Sequence, residues 1–300
     1  MAAKTPFARA LRHGLFYPLQ AALAFVLFAI IRTLPLGVAS GIGGGLGRVF
    51  GPCLGLSGRA RKNLENAFPE KSSAEINVII HEMWDNLGRT LFEFPHLDRL
   101  KFYQDGSPVE VIGVNHIEKL RDDGRPGLFF AGHLGNWEIT PLGVIHRDLP
   151  AHLIYRAPNN PLVEKIYRQR KFGEGELLPK GAEGARRAIK LLKDGGHIGI
   201  LVDQKMNDGI PVPFFGRDAM TAPALAQFAL KYKCPVVPVQ VERLKGATFR
   251  MTFYPPEEYE PTGDRTKDVA RIMTSVNAHL EKWIRENPAQ WLWLHNRWPD

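Results

Sequence analysis

The first feature in the pattern of hydrophobic and polar positions is an eighteen-residue stretch, Gly14 to Ile31, without a charged side chain. Lys4, Arg9 and Arg12 bound it on one side and Arg32 on the other. As a helix it reaches about 27 Å, close to the roughly 30 Å hydrocarbon core of a bilayer. It is a candidate membrane helix, with Pro18 and Gln20 near its start counting against a clean span. A cleaved leader is disfavoured, because the run is long and no small-residue cleavage site followed by a cysteine-bridged chain is apparent. The positive-inside rule places Arg9 and Arg12 in the cytoplasm, where a basic soluble domain also belongs. The stretch therefore reads as an in-plane or re-entrant anchor, or as a single span oriented by the larger domain.

Residues 37–58 carry glycine every fourth position, as Gly37, Gly41, Gly45 and as Gly43, Gly47, Gly51, Gly55. This small-xxx-small pattern suits close helix packing against the first helix or a partner, or else a glycine-softened segment. It is not a dinucleotide loop, since no strand precedes it and the third glycine of that fingerprint is missing. From Arg59 the chain turns soluble in character: a helix through Ala67, then a long amphipathic helix capped by Ser73 and reaching about Phe94. Beyond Lys101, strands are expected near 109–112, 127–131, 151–155, 176–178, 197–202, 236–241 and 248–254. Helices are expected near 115–122, 136–147, 160–172, 182–194, 221–233 and 266–286. That alternation predicts an α/β fold, a mixed, mostly parallel sheet flanked by helices in one domain. The division is residues 1–58 as anchor and glycine-spaced segment, and 59–300 as the main domain.

Charge narrows the partners. A formal net charge of +8 favours acidic ones, such as anionic lipid, a phosphorylated substrate or an acidic carrier protein. Nucleic acid ranks lowest, as the charge is spread and has no basic arm or zinc-type cysteine spacing. The two cysteines, Cys53 and Cys234, are isolated and point to a reduced, cytoplasm-facing site. Arg59, Arg61 and Lys62, beside the anchor, read as a lipid-headgroup patch or as a solvated helix face.

The most informative stretch is Phe129 to Glu138. Leu128 to Ala131 is a continuous apolar run suited to a strand covered on both faces. Gly132 and Gly135 permit unusual backbone angles, and Asn136 is placed to cap a following helix. His133 then stands at a strand exit and Glu138 in the first helical turn beside a helix N-terminus, which is also an anion site. An imidazole oriented by a carboxylate can act as general base on a hydroxyl. The alternative is a strand-end histidine bonded to backbone, with Glu138 favoured only by the helix dipole.

Gly132-His133-Leu134-Gly135-Asn136-Trp137-Glu138 resembles the His-x₄-Glu signature of the lipid A late acyltransferases, within the lysophospholipid acyltransferase superfamily. Further matches follow in the family's order: Tyr155-Arg156 with Asn159-Asn160-Pro161, Asp203-Gln204, Pro213 to Gly216 with Thr221, Pro235 to Pro238, and Trp293 to Trp298. The resemblance implies transfer of a fatty acyl group from an acyl carrier protein thioester to a hydroxyl of a phosphorylated glycolipid, the lipid A precursor. It implies a membrane partner, an inner-membrane location with the catalytic domain facing the cytoplasm, and neither metal nor cofactor. His133, Glu138 and Arg156 are then the catalytic candidates. Asn136, Asn159, Asp203, Gln204, Arg170, Phe215 and Thr221 are the substrate-binding candidates.

Each has a plainer alternative. Arg156 could tie strand to helix, Phe214 and Phe215 could be core, and Asp203 could orient Arg156 or position the acceptor sugar. Asp203 and Asp208 alone are too few ligands for a metal. Phe92, Phe94 and Pro95 could wall an acyl channel or fill core. The tryptophans at 283, 291, 293 and 298 suit either a membrane interface or a packed tail. The rival functions are acyl transfer to another glycolipid or a lysophospholipid, or a non-catalytic lipid-binding relative. A serine hydrolase is disfavoured by the lack of a Gly-x-Ser-x-Gly elbow.

Overall fold

A computed structural model describes residues 12–168 and 173–298. The N-terminal apolar run forms helix α1 (Tyr17–Thr33), entered through a π-turn at Arg12–Phe16. Among the described residues, Gly14–Thr33 is the one helical stretch long and apolar enough to cross a membrane, and 11% of its most apolar window is buried. Pro35 breaks the chain before α2 (Leu36–Phe50), after which come α3 (Leu56–Ala67) and α4 (Ser73–Glu93). The cap of α4 is Ser72 rather than Ser73: its hydroxyl accepts from Glu75 N–H while the Glu75 carboxylate accepts from Ser72 N–H.

The four-residue glycine spacing finds its partner inside the chain. Gly43 and Gly47 of α2 lie against α4, where a Cβ on Gly43 would stand 2.4 Å from the Gly88 carbonyl oxygen and one on Gly88 would stand 2.1 Å from that of Gly43. The partner is thus α4, not the first helix. Glycine is required at such a backbone-to-backbone crossing because any side chain would hold the helices apart.

The main domain follows as β1 (Val109–Ile112), α5 (Val114–Asp122), β2 (Gly127–Ala131), α6 (Thr140–Ile145), β3 (Ala151–Tyr155), α7 (Pro161–Arg168), β4 (Leu177–Pro179), α8 (Ala182–Lys193) and β5 (His197–Leu201). It continues as β6 (Lys205–Phe214), β7 (Arg217–Thr221), α9 (Ala224–Tyr232), β8 (Val236–Lys245), β9 (Thr248–Phe253) and α10 (Arg265–Glu286). Seven strands form one mixed sheet in the order β1-β9-β8-β2-β5-β3-β4. All its pairs are parallel except β8 with β9. Strand β2 is central and buried throughout, as its apolar run predicts. Leu128 and Phe130 face the core built on α3, α4 and α8 to α10, and Phe129 and Ala131 face the core on α5 and α6.

Two expectations are corrected. The segment after Asp203 is a separate antiparallel hairpin, β6–β7, and Thr221 ends its second strand, so the helix expected from 221 starts at Ala224. Pro211 and Pro213 hid β6, because proline lacks the ladder donor and reads as loop. The expected helix over 136–147 is split into a 3₁₀ turn (Trp137–Ile139) and the short α6, with Pro141 at the start of the latter.

Candidate active site

Strands β2 and β5 run side by side with Ala131 opposite Leu201. Two residues further along each chain stand His133 and Asp203, so parallel register alone brings them to one level at the carboxyl edge of the sheet. Asp203 Oδ1 lies 2.7 Å from His133 Nδ1, and its Oδ2 accepts from the His133 backbone N–H, also at 2.7 Å. Oδ2 accepts a further hydrogen bond from Trp291 Nε1 at 2.7 Å. Asp203 is 0% and His133 8% exposed.

Burial by itself would raise the Asp203 carboxyl. The charge and hydrogen bonds of His133, with His295 adding, outweigh it and hold the group below the usual carboxylate range. A carboxylate only accepts, so in the neutral imidazole Nδ1 carries the proton and Nε2 presents its lone pair. The Gln204 amide nitrogen faces that lone pair at 3.3 Å, while Gln204 Oε1 accepts from Lys180 Nζ at 2.8 Å. Lys180 reaches the surface, yet partial burial and then the nearby charge of Arg156 lower its ammonium, with Asp203 pulling the other way.

The carboxyl-terminal segment closes the site. Leu292 N–H donates to the His133 carbonyl and Gly135 N–H to that of Gln290, at 3.1 and 3.0 Å, which seats Trp291 behind Asp203. Trp283, Trp291 and Trp293 are fully buried, so the tail is packed core. The His295 ring stands 5.1 Å from that of His133, edge to face. Burial, then the charge of His133, pushes its pKa down to about 4, so it is neutral at neutral pH. Trp137 covers another side of His133, at 5.1 Å between rings.

A buried network supports the loop from behind. Gly135 has φ +55°, and a Cβ there would lie 2.6 Å from the Val241 carbonyl oxygen. Its own carbonyl accepts from Asn86 Nδ2 at 3.0 Å and Thr90 Oγ1 at 3.2 Å. Asn136 Oδ1 accepts from Glu138 N–H, as a cap should, and its Nδ2 donates to Glu93 Oε2 at 2.8 Å. Glu93 also takes Ser40 Oγ at 2.6 Å and Arg243 Nη2 at 3.0 Å, so α2, α4 and β8 all brace the His133 loop.

Sequence reading gives the orienting carboxylate to Glu138, whereas at Nδ1 the structure has Asp203. Glu138 leaves on the half-buried 3₁₀ turn beyond the loop, while Asp203 leaves the adjacent strand at the level of the ring. Asn136 is completely buried in the supporting network rather than presented to a ligand. Arg156 and Asn159 are exposed at the exit of β3, on the same sheet edge. The neighbouring Asn160 is structural: its Nδ2 donates to the Tyr17 carbonyl at 2.9 Å and ties that exit to α1. Phe215 lies in the aromatic core against Phe68, Phe214 and Trp293, and Thr221 is buried with its hydroxyl accepting from Arg297 Nη2 at 2.8 Å. Neither is presented to a ligand, because both belong to the hairpin's packed side. Arg170 lies outside the described residues.

Sequence reasoning did not single out Trp291, Lys180 or His295 for the site. The available signal for Trp291 was that a buried indole N–H needs an acceptor. Among the described residues no group of three or more His, Cys, Asp or Glu side chains is placed to hold a metal ion.

Residues 5–300 match the family model of the bacterial lipid A biosynthesis acyltransferases. Similar proteins include the lipid A biosynthesis lauroyltransferase of Escherichia coli (strain K12), 26% identical, with 91% of this chain and 88% of that protein covered. The lipid A biosynthesis myristoyltransferase of the same organism is 26% identical, with 83% and 77% covered. The phosphatidylinositol mannoside acyltransferase of Mycolicibacterium smegmatis is 22% identical, with 90% and 88% covered. Among solved structures, the 1-acyl-sn-glycerophosphate acyltransferase of Thermotoga maritima is 17% identical at a TM-score of 0.37, with 88% of this chain and 98% of that one covered.

Proposed function

The chain belongs to the bacterial lipid A biosynthesis acyltransferase family, and on that premise we propose that it moves a fatty acyl group from an acyl carrier protein thioester to a hydroxyl of a phosphorylated lipid A precursor. The acceptor is the hydroxyl of a 3-hydroxyacyl chain, so the product is an acyloxyacyl unit. The reaction takes place at the cytoplasmic face of the inner membrane, with α1 and the exposed apolar residues Leu19, Leu23, Val26 and Ile30 in the bilayer. The basic balance of the chain suits both an acidic carrier and a phosphorylated acceptor.

The observation that carries this reading is the His133–Asp203 pair, with Nε2 facing the Gln204 amide. Gln204 yields its place to the acceptor hydroxyl, and Nε2 takes the hydroxyl proton while Asp203 stabilises the imidazolium. The oxygen attacks the thioester carbonyl carbon. The tetrahedral intermediate then collapses with cleavage of the carbon–sulfur bond, and the imidazolium returns its proton to the departing thiolate. Arg156, Lys180 and the displaced Gln204 amide supply positive charge and donors to the oxyanion, often the largest single contribution to such a reaction. Glu138 and Asn159 border the cleft on the acceptor side.

The test is mass spectrometry of lipid products from detergent-purified protein, given a panel of acyl carrier protein thioesters and a diphosphorylated, under-acylated disaccharide lipid. One added acyl mass, lost with His133→Ala and Asp203→Asn, is the expected result. Because a relative acts on phosphatidylinositol mannoside, that glycolipid belongs in the acceptor panel. Product from it alone would overturn the lipid A assignment.

A further inference from the structure

Against the carboxyl-terminal segment that covers His133 lies a cavity of about 280 Å³ whose walls come from three distant parts of the chain. Helix α3 supplies Arg59, Lys62, Asn63 and Asn66. These stand at i, i+3, i+4 and i+7, so they form one stripe, while Ala60, Leu64 and Ala67 carry the adjoining, core-facing stripe. Arg217, at the start of β7, and Asn296 supply the facing wall, with Trp298 stacked under the Arg217 guanidinium at 5.8 Å. Three cations and three amides thus surround the space, and among the described residues no carboxylate lines it.

The cavity is joined to the catalytic residues by the chain itself. Asn296 directly follows His295, whose ring touches that of His133. Asn63 donates from Nδ2 to the Trp293 and His295 carbonyls, both at 2.8 Å, and Arg59 donates to the Leu294 carbonyl at 3.3 Å. Helix α3 is therefore clamped to the segment that covers His133. Just before the cavity, Leu54 and Leu56 are exposed apolar residues continuous with the exposed Val49 and Phe50 of α2. A basic cavity near such apolar residues suits an anionic headgroup.

We propose that this cavity binds a phosphomonoester of the acceptor glycolipid and so fixes the disaccharide beside His133. Its volume has room for a phosphorylated sugar rather than a lone ion, and the guanidinium forks of Arg59 and Arg217 suit phosphate oxygens. The inference rests on the acceptor being the phosphorylated lipid named above.

The test compares the full chain with an Arg59→Gln/Arg217→Gln variant, in phosphatidylcholine vesicles, on the diphosphorylated acceptor and on the same acceptor after phosphatase treatment. For the wild type, removing the phosphates should raise KM roughly ten- to a hundredfold with kcat little changed. The variant should show that raised KM with both acceptors, and Arg59→Lys/Arg217→Lys should restore most of the preference. A variant that keeps the wild-type preference overturns the proposal. A loss that appears only when phosphatidylglycerol is added also overturns it, since the cavity would then bind bulk anionic headgroups. A separate arm measures inorganic phosphate binding by calorimetry. If no acceptor is turned over, the functional reading fails, and this arm still decides the site: binding by wild type alone supports it, and equal binding by the variant overturns it.

Discussion

His133 and Asp203, seventy residues apart, meet at 2.7 Å because each stands two residues beyond the Ala131–Leu201 register pair of adjacent parallel strands. The pairing is a property of the sheet and not of a local motif. It leaves the strand-exit loop fixed by main-chain register while its outer ring nitrogen faces the cleft.

Asp203→Asn should therefore leave the fold intact and lower kcat by roughly 10²–10⁴-fold, because the amide no longer holds the Nδ1–H tautomer or stabilises the imidazolium. Glu138→Gln, which does not alter the group at Nδ1, should cost less in kcat and more in KM. Steady-state acyl transfer by both variants checks this, and equal kcat losses would remove the distinction.

His295 gives a pH signature in stability. Its folded pKa of about 4 lies below the ordinary 6.5, so between those values the unfolded chain binds more protons than the native one. Stability should fall as pH drops from about 6.5 toward 4, and His295→Gln should make that decline shallower in melts recorded across the window. Asp203 acts lower still: its depressed carboxyl contributes stability that is present above the ordinary 3.8 and lost as pH falls through its folded value.

The Glu93–Arg243 pair is almost wholly buried, with side chains 1% and 8% exposed. Arg243→Met leaves a buried carboxylate without its cation and should cost about 3–5 kcal/mol. Adding Glu93→Gln should recover part of that loss, and denaturant titration of the single and double variants measures the coupling. Activity should fall with the single change, since Glu93 also holds Asn136.

At the α2–α4 crossing, Gly88→Ala places a Cβ against the Gly43 backbone and should destabilise by about 1–3 kcal/mol. Gly41→Ala, with nothing within 4 Å, should be neutral or stabilising by about 0.5–1 kcal/mol. Thermal melts in detergent should therefore fall for Gly88→Ala and hold or rise for Gly41→Ala, and equal shifts would mean that the crossing does not depend on close approach.

By itself the sequence determined the alternation of strands and helices, the doubly covered β2, the long apolar N-terminal helix, and His133 at a strand exit with Asn136 as cap. Each of these follows from local periodicity, from glycine and proline, or from hydrogen bonding within a few residues. Only the tertiary structure decided which carboxylate stands behind His133, since sheet register outweighs the five-residue spacing to Glu138. It also decided that Phe215, Thr221 and Asn136 serve packing, because burial depends on what covers a residue. The partner of the glycine stripe, the seat of Trp291 and the cavity between α3, β7 and the tail were likewise set by contacts between segments far apart in the chain, which local pattern does not encode.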